Sequence, residues 1–175
     1  MIAPRVIVVD ASIALAIALK EPEGPLAAAA ISDWTREHAR IVVPAHFWLE
    51  VTNSLLRRRH LPGAAVLAVI HSIDLLRFDT LDLDRAALVL AIDLAERHWL
   101  TSNDAAYLAL AISLDGSLVT CDDALRTAAG VRALHIGPTR LAETPAAYED
   151  EVTWPNYKGA SAFLAKLRAE AAASN

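Results

Sequence analysis

Apolar and polar positions along the chain fall into short blocks. The first apolar run is four consecutive β-branched residues, Val6-Ile7-Val8-Val9, and it stops at a carboxylate, Asp10. A run of this kind predicts a strand buried on both faces. Comparable runs predict strands at 41–43, 77–81, 117–120 and 132–136. Between them, apolar residues spaced three and four apart predict helices at 12–19, 25–38, 45–60, 63–76, 84–98, 103–114 and 123–129. Glu21-Pro22-Glu23-Gly24-Pro25 reads as a loop, and Leu61-Pro62-Gly63 separates two helices. Short strands alternating with amphipathic helices predict an α/β layered fold around a largely parallel sheet of about five strands.

The pattern changes near residue 139. Pro145, Pro155 and the acidic cluster Glu149-Asp150-Glu151 predict an irregular segment, followed by a helix at 159–173 with Phe163, Leu164 and Leu167 on one side. The expected organisation is therefore one domain at 1–138 and an extension at 139–175 that packs on the domain or on a dimer partner. The 175-residue length suits a single domain with a real core. A hydrophobic content of 55%, mostly Ala and Leu, points to many helices and to apolar surface reserved for a partner.

The net charge of −5 argues against a broad basic nucleic-acid surface but leaves room for a local basic patch. One cysteine, Cys121, excludes a disulfide framework, fits a reducing compartment and is expected as a small buried apolar group. No apolar stretch approaches the roughly 18 residues of a membrane span, and no secretory pattern follows the first strand. A cytoplasmic protein without membrane contact is the expectation.

Ligands of open α/β sheets gather beyond the carboxyl ends of the strands. The pattern delivers Asp10 there from the first strand, and Asp122 and Asp123 from the strand at 117–120. It places Asp104 in the first turn of the helix at 103–114, and Glu50 inside the helix at 45–60. Taken singly, each has a plain structural explanation. Asp10, Asp122 and Asp123 can cap helices, Asp104 can favour a helix N-terminus, and Glu50 can share a solvated stripe with His46, Asn53 and Arg57. Together they are costly, because like charges at one sheet edge repel and a buried unpaired carboxylate is expensive. Lysine is scarce, Lys20 being the only one before Lys158, so a hard divalent cation is the expected compensation. An all-oxygen site suits Mg²⁺ or Mn²⁺, and such an ion activates water and clamps a phosphodiester.

Three segments carry a family resemblance. VVDASIALAI, VPAHFWLEVTNSLLR and LTSNDAAYLALAISLDGSLVTCDDAL resemble, in order, the first, the second, and the third and fourth motifs of the PIN-domain ribonucleases. Within that family the chain is similar to the VapC-like toxins of type II toxin–antitoxin pairs, from about Val6 to Ile136. The resemblance implies a three-layer α/β/α domain and a metal-dependent endoribonuclease that inhibits translation by cutting RNA. It implies that Asp10, Glu50, Asp104 and Asp122 hold Mg²⁺ or Mn²⁺, with Asp123 an extra or substitute ligand because the doublet leaves the register open. Ser12 and Thr120 would support a carboxylate or a metal-bound water. A cognate antitoxin and a homodimer are implied as partners. Asn103 departs from the tyrosine that often precedes the third aspartate, and nothing carries over onto 139–175.

Other readings fit less well. A haloacid-dehalogenase-type phosphatase would need an aspartate where Ser12 stands, and a receiver domain would need acidic and lysine positions that are missing. The six histidines lack zinc-site spacing, and there is no glycine-rich phosphate loop. A non-catalytic protein that kept the PIN fold, or a housekeeping PIN nuclease without an antitoxin, remain the alternatives. Arg57-Arg58-Arg59-His60 is the only dense basic run. It is either the solvated end of a helix or a grip on RNA phosphates, with Arg57 best placed because it shares the Glu50 stripe. Trp34, Trp48 and Trp99 are expected in the core or at an interface.

Overall fold

The apolar run behind Asp10 forms the strand β1 (Val6–Val9), with Ile7, Val8 and Val9 fully buried. Successive strand residues point to opposite faces, so burial at every position requires cover on both sides of the sheet. The computed structural model describes residues 5–136, and the expected extension at 139–175, with its helix, lies outside them. Within the described residues the other strands are β2 (Arg40–Pro44), β3 (Asp79–Leu81) and β4 (Ser117–Val119). The sheet order is β3-β2-β1-β4, and every pairing is parallel. β1 is thus internal, with Val8 opposite Val42 on one side and Leu118 on the other.

Seven α-helices connect and cover these strands among the described residues: α1 (Ala11–Ala18), α2 (Gly24–Arg36), α3 (Phe47–Asn53), α4 (Gly63–Asp74), α5 (Arg85–His98), α6 (Ser102–Ser113) and α7 (Asp123–Ala129). α6 is buried almost all round, from Ala105 to Ala111, because it packs across β1, β2 and β4 while α5 lies along it. Its alanines allow that close approach. Phe47 is fully buried at the start of α3, edge-on to Trp48 and Phe78 at centroid distances of 5.0 and 6.0 Å. No helix among the described residues is long and apolar enough to cross a membrane.

Three expectations are modified. The strand expected at 132–136 shrinks to one parallel bridge between Ala133 and Leu118. A 3-10 turn (Gly130–Arg132) occupies its start, and Arg132 is drawn back to the Gly116 carbonyl and Asp115. The single helix expected at 45–60 ends as α at Asn53 and continues as a π-helical turn (Ser54–Arg58). Cys121 is exposed rather than buried. Its backbone N–H donates to Ser12 Oγ at 3.0 Å, so it serves the turn after β4 through its main chain. Of the tryptophans, Trp34 is buried, Trp48 donates to Thr80 Oγ1 at 3.0 Å, and Trp99, the C-cap of α5, is 68% exposed.

The loop between α1 and α2 leaves no room for a side chain at Gly24. A Cβ there would stand 2.4 Å from the Ala16 carbonyl oxygen, which already accepts from Glu21 N–H at 2.8 Å. The contact is with backbone, so relief requires moving α2 against α1. Gly63, at the start of α4, faces open space. Gly24→Ala should therefore lower unfolding free energy by about 1–3 kcal/mol in urea denaturation. Gly63→Ala should be neutral or stabilising by up to about 1 kcal/mol. Equal stability of the two variants would contradict this packing.

Candidate active site

The chain runs β1, β2, β3 outward to one side of the sheet and then returns to place β4 on the other flank of β1. The strand order therefore reverses between β1 and β4, where a crevice opens at the carboxyl ends. Register brings the polar residues to that point. Val9 lies opposite Val119, so the next residues on the two strands, Asp10 and Thr120, become neighbours. Asp10 N–H bonds the Val119 carbonyl at 3.0 Å.

Asp10 is 4% exposed and occupies the N-cap position of α1, with extended backbone at φ −78° and ψ 153°. Its carboxylate nevertheless completes no capping hydrogen bond. The Ser12 N–H lies near enough to favour the ionised form, but the two firm donors are hydroxyls. Ser12 Oγ and Thr120 Oγ1 both donate to Asp10 Oδ2, the latter at 2.7 Å. Burial raises the Asp10 pKa, the two hydroxyls pull it down in part, and the charge of Asp104 pushes it up again.

The other expected carboxylates line the same cleft, of about 490 Å³. Glu50 enters from α3 and accepts from Tyr107 OH at 2.9 Å. Burial raises its pKa; the Tyr107 hydrogen bond opposes this, Asp10 and Asp104 add to it, and Arg58 opposes it. Tyr107 is fully enclosed, and burial together with Asp10 and Glu50 drives its pKa upward, so it stays a donor. Asp104 is fixed by a reciprocal cap: its N–H bonds Thr101 Oγ1 at 3.1 Å, and Thr101 Oγ1 donates to Asp104 Oδ2 at 2.6 Å. Asp122 caps α7 through the Leu125 N–H at 2.8 Å and takes its own N–H to Thr120 Oγ1 at 2.9 Å.

The aspartate doublet splits. Asp122 lines the main cleft, whereas Asp123 pairs with Arg126 and borders a separate depression with Cys121. Arg57, the basic residue expected near Glu50, lines the main cleft. Sequence reasoning gave no role to Tyr107 or Thr101, and named Arg58 only within the basic run, behind Arg57. The Thr101-to-Asp104 spacing is a recognisable capping pattern, and Tyr107 one turn beyond Asp104 marks the same helix face. Arg58 had no such signal, because its position depends on the π-helical turn. His46 stands edge-on to Tyr107 at 5.0 Å, and its buried Nε2 has no hydrogen-bond partner among the described residues.

The donor set is four carboxylates and several hydroxyls, all hard oxygen, which suits Mg²⁺ or Mn²⁺ in chemistry. No ion pair among the described residues joins any of the four carboxylates to Lys, Arg or His. They share a cleft rather than a closed cage: no three His, Cys, Asp or Glu side chains among the described residues already surround one ion-sized point. A cation in the cleft would offset the burial, and the added repulsion, that raise the Asp10 and Glu50 pKa values.

Solved structures share this architecture. PAE2754 from Pyrobaculum aerophilum is similar with a TM-score of 0.56 and 23% identity, over 74% of this chain and 83% of that one. A toxin–antitoxin complex from Klebsiella pneumoniae is similar with a TM-score of 0.53 and 17% identity, over 75% of this chain and 98% of that one. No curated protein sequence matches the chain. The family pattern described as PIN domain matches residues 7–131, which takes in the sheet from Ile7 onward and the four cleft carboxylates. The chain therefore belongs to the PIN-domain family.

Proposed function

We propose that the chain is a Mg²⁺- or Mn²⁺-dependent endoribonuclease, with Asp10, Glu50, Asp104 and Asp122 holding the cation. The observation that carries this reading is Asp10: a buried carboxylate at a helix N-cap that does not cap, held by hydroxyls and facing three more carboxylates across one cleft. A structural aspartate would spend its oxygens on helix N–H groups, as Asp84 does with Ala87 at the start of α5. PIN domains are generally nucleases, and this geometry fits that chemistry. When bound, the cation supplies charge neutralisation of the phosphodiester and activation of water.

The chain's own residues have distinct tasks in this reading. Ser12 and Thr120 fix the Asp10 carboxylate by donating to Oδ2. Tyr107 holds Glu50 in place with its phenolic proton. Asp104 is immobilised by Thr101 at the start of α6. Arg57 contacts an RNA phosphate on the cleft wall. Asp122 is the fourth ligand in preference to Asp123, whose side chain is engaged with Arg126 beside another depression.

The biological role that fits is the toxin of a toxin–antitoxin pair, acting in the cytoplasm on RNA and restrained by a cognate antitoxin. The shared fold with a protein solved as a toxin–antitoxin complex supports this role. A homodimer is part of the same reading, consistent with exposed apolar residues such as Leu67 and Leu88.

Two outcomes are expected. Asp10→Asn preserves shape and should leave the circular dichroism spectrum unchanged, while Mn²⁺-dependent cleavage of RNA falls more than about 100-fold; Ser12→Ala and Thr120→Ala should lose about 10–100-fold. Wild-type protein that cuts no RNA with either cation, or an Asp10→Asn variant that cuts normally, would sink the reading. The second outcome concerns pH. The folded-state pKa of Asp10 is raised, so the native chain binds its proton more tightly than the unfolded chain. Stability from this group is therefore greatest in acid and is lost as pH rises through the raised pKa. Without cation, Asp10→Asn should melt at a higher temperature than wild type near pH 7.5, and the gap should close towards about pH 4. A gap that is independent of pH would contradict the burial argument.

A further inference from the structure

Glu50 reaches the cleft from α3, and the residues that follow do not continue that helix. In an ideal α-helix, a residue seven positions beyond Glu50 falls within about 20° of its row, whereas one eight positions beyond is about 80° away. Arg57 would then face the cleft and Arg58 would turn aside. The chain instead widens: Arg59 N–H bonds the Ser54 carbonyl at 3.1 Å, five residues back, and Leu61 N–H bonds the Leu55 carbonyl at 3.0 Å. A wider turn rotates less per residue and brings Arg58 back towards the Glu50 row.

Local contacts hold this turn in place. Thr52 Oγ1 donates back to the Trp48 carbonyl at 2.7 Å just before it. Leu55 is fully buried within it, and Arg59 at its end pairs with Glu21 in the loop between α1 and α2. Two successive arginines, Arg57 and Arg58, both line the carboxylate cleft. Neither forms an ion pair with an acidic side chain among the described residues, in contrast to Arg59. Arg58 also favours ionisation of Glu50, which places its charge at the site itself. A planar guanidinium matches the oxygens of a phosphate.

We propose that the guanidinium groups of Arg57 and Arg58, both carried on the π-helical turn Ser54–Arg58, form a subsite for the RNA phosphates flanking the bond held at the carboxylates. This rests on the nuclease reading above. It makes Arg58 a substrate contact in its own right.

Binding can be measured without turnover, using the full chain with Asp10→Asn and a labelled single-stranded RNA oligonucleotide across a salt series. Each phosphate contact to single-stranded RNA contributes about 0.7 to the slope of log affinity against log salt. Adding Arg57→Ala or Arg58→Ala should each lower affinity about 10-fold near 0.1 M salt and reduce that slope by about 0.7. An Arg58→Ala protein with unchanged affinity and slope, beside a weakened Arg57→Ala protein, overturns the subsite and leaves the nuclease reading standing. No RNA binding by Asp10→Asn itself removes both readings.

Discussion

The arrangement around Asp10 depends on one constraint: a carboxylate buried at the end of an internal strand, stabilised by hydroxyls and not by a cationic side chain. Ser12 and Thr120 can donate hydrogen bonds, but they carry no charge to offset the desolvation that raises the Asp10 pKa. The parallel register of β1 with β4 makes this burial unavoidable, because it sets Asp10 beside Thr120 where the strand order reverses. The neighbouring carboxylates make it worse, since Asp104 raises the Asp10 pKa further and both residues raise that of Glu50. A fold would discard such a cluster unless something positive joined it.

The surrounding contacts prepare the cleft rather than relax it. Tyr107 is buried and kept protonated so that it can donate to Glu50, and Thr101 holds Asp104 through both of its hydrogen-bonding roles. These groups orient acidic side chains without neutralising them. The arginines are held on the opposite footing: Arg59 is tied to Glu21, while Arg57 and Arg58 face the cleft. Acidic and basic groups thus share one crevice yet are kept from pairing off, which suits the proposed binding of a cation and a polyanion.

Much of this was legible in the sequence. The run Val6-Ile7-Val8-Val9 announced a strand buried on both faces, and the helix expected at 123–129 appears with those bounds. The carboxylates were legible because strand ends and first helical turns are where an α/β fold collects its polar residues. Details that depend on tertiary contacts were not. The fifth strand yielded to the 3-10 turn at Gly130 and the pull of Arg132 towards Gly116. Which member of the doublet Asp122-Asp123 lines the cleft was not legible, because it depends on the pairing of Asp123 with Arg126. The π-helical turn leaves no periodic trace, since its five residues read equally well as α-helix, and Arg58 was ranked behind Arg57 for that reason.

The central claim is that the cleft binds a divalent cation through Asp10. Calorimetric titration of Mn²⁺ into metal-free protein at neutral pH, with wild type and Asp10→Asn side by side, tests it most directly. The account predicts saturable binding to wild type that is lost in the variant while both remain folded. Equal binding by the two proteins, or none by wild type, would contradict it.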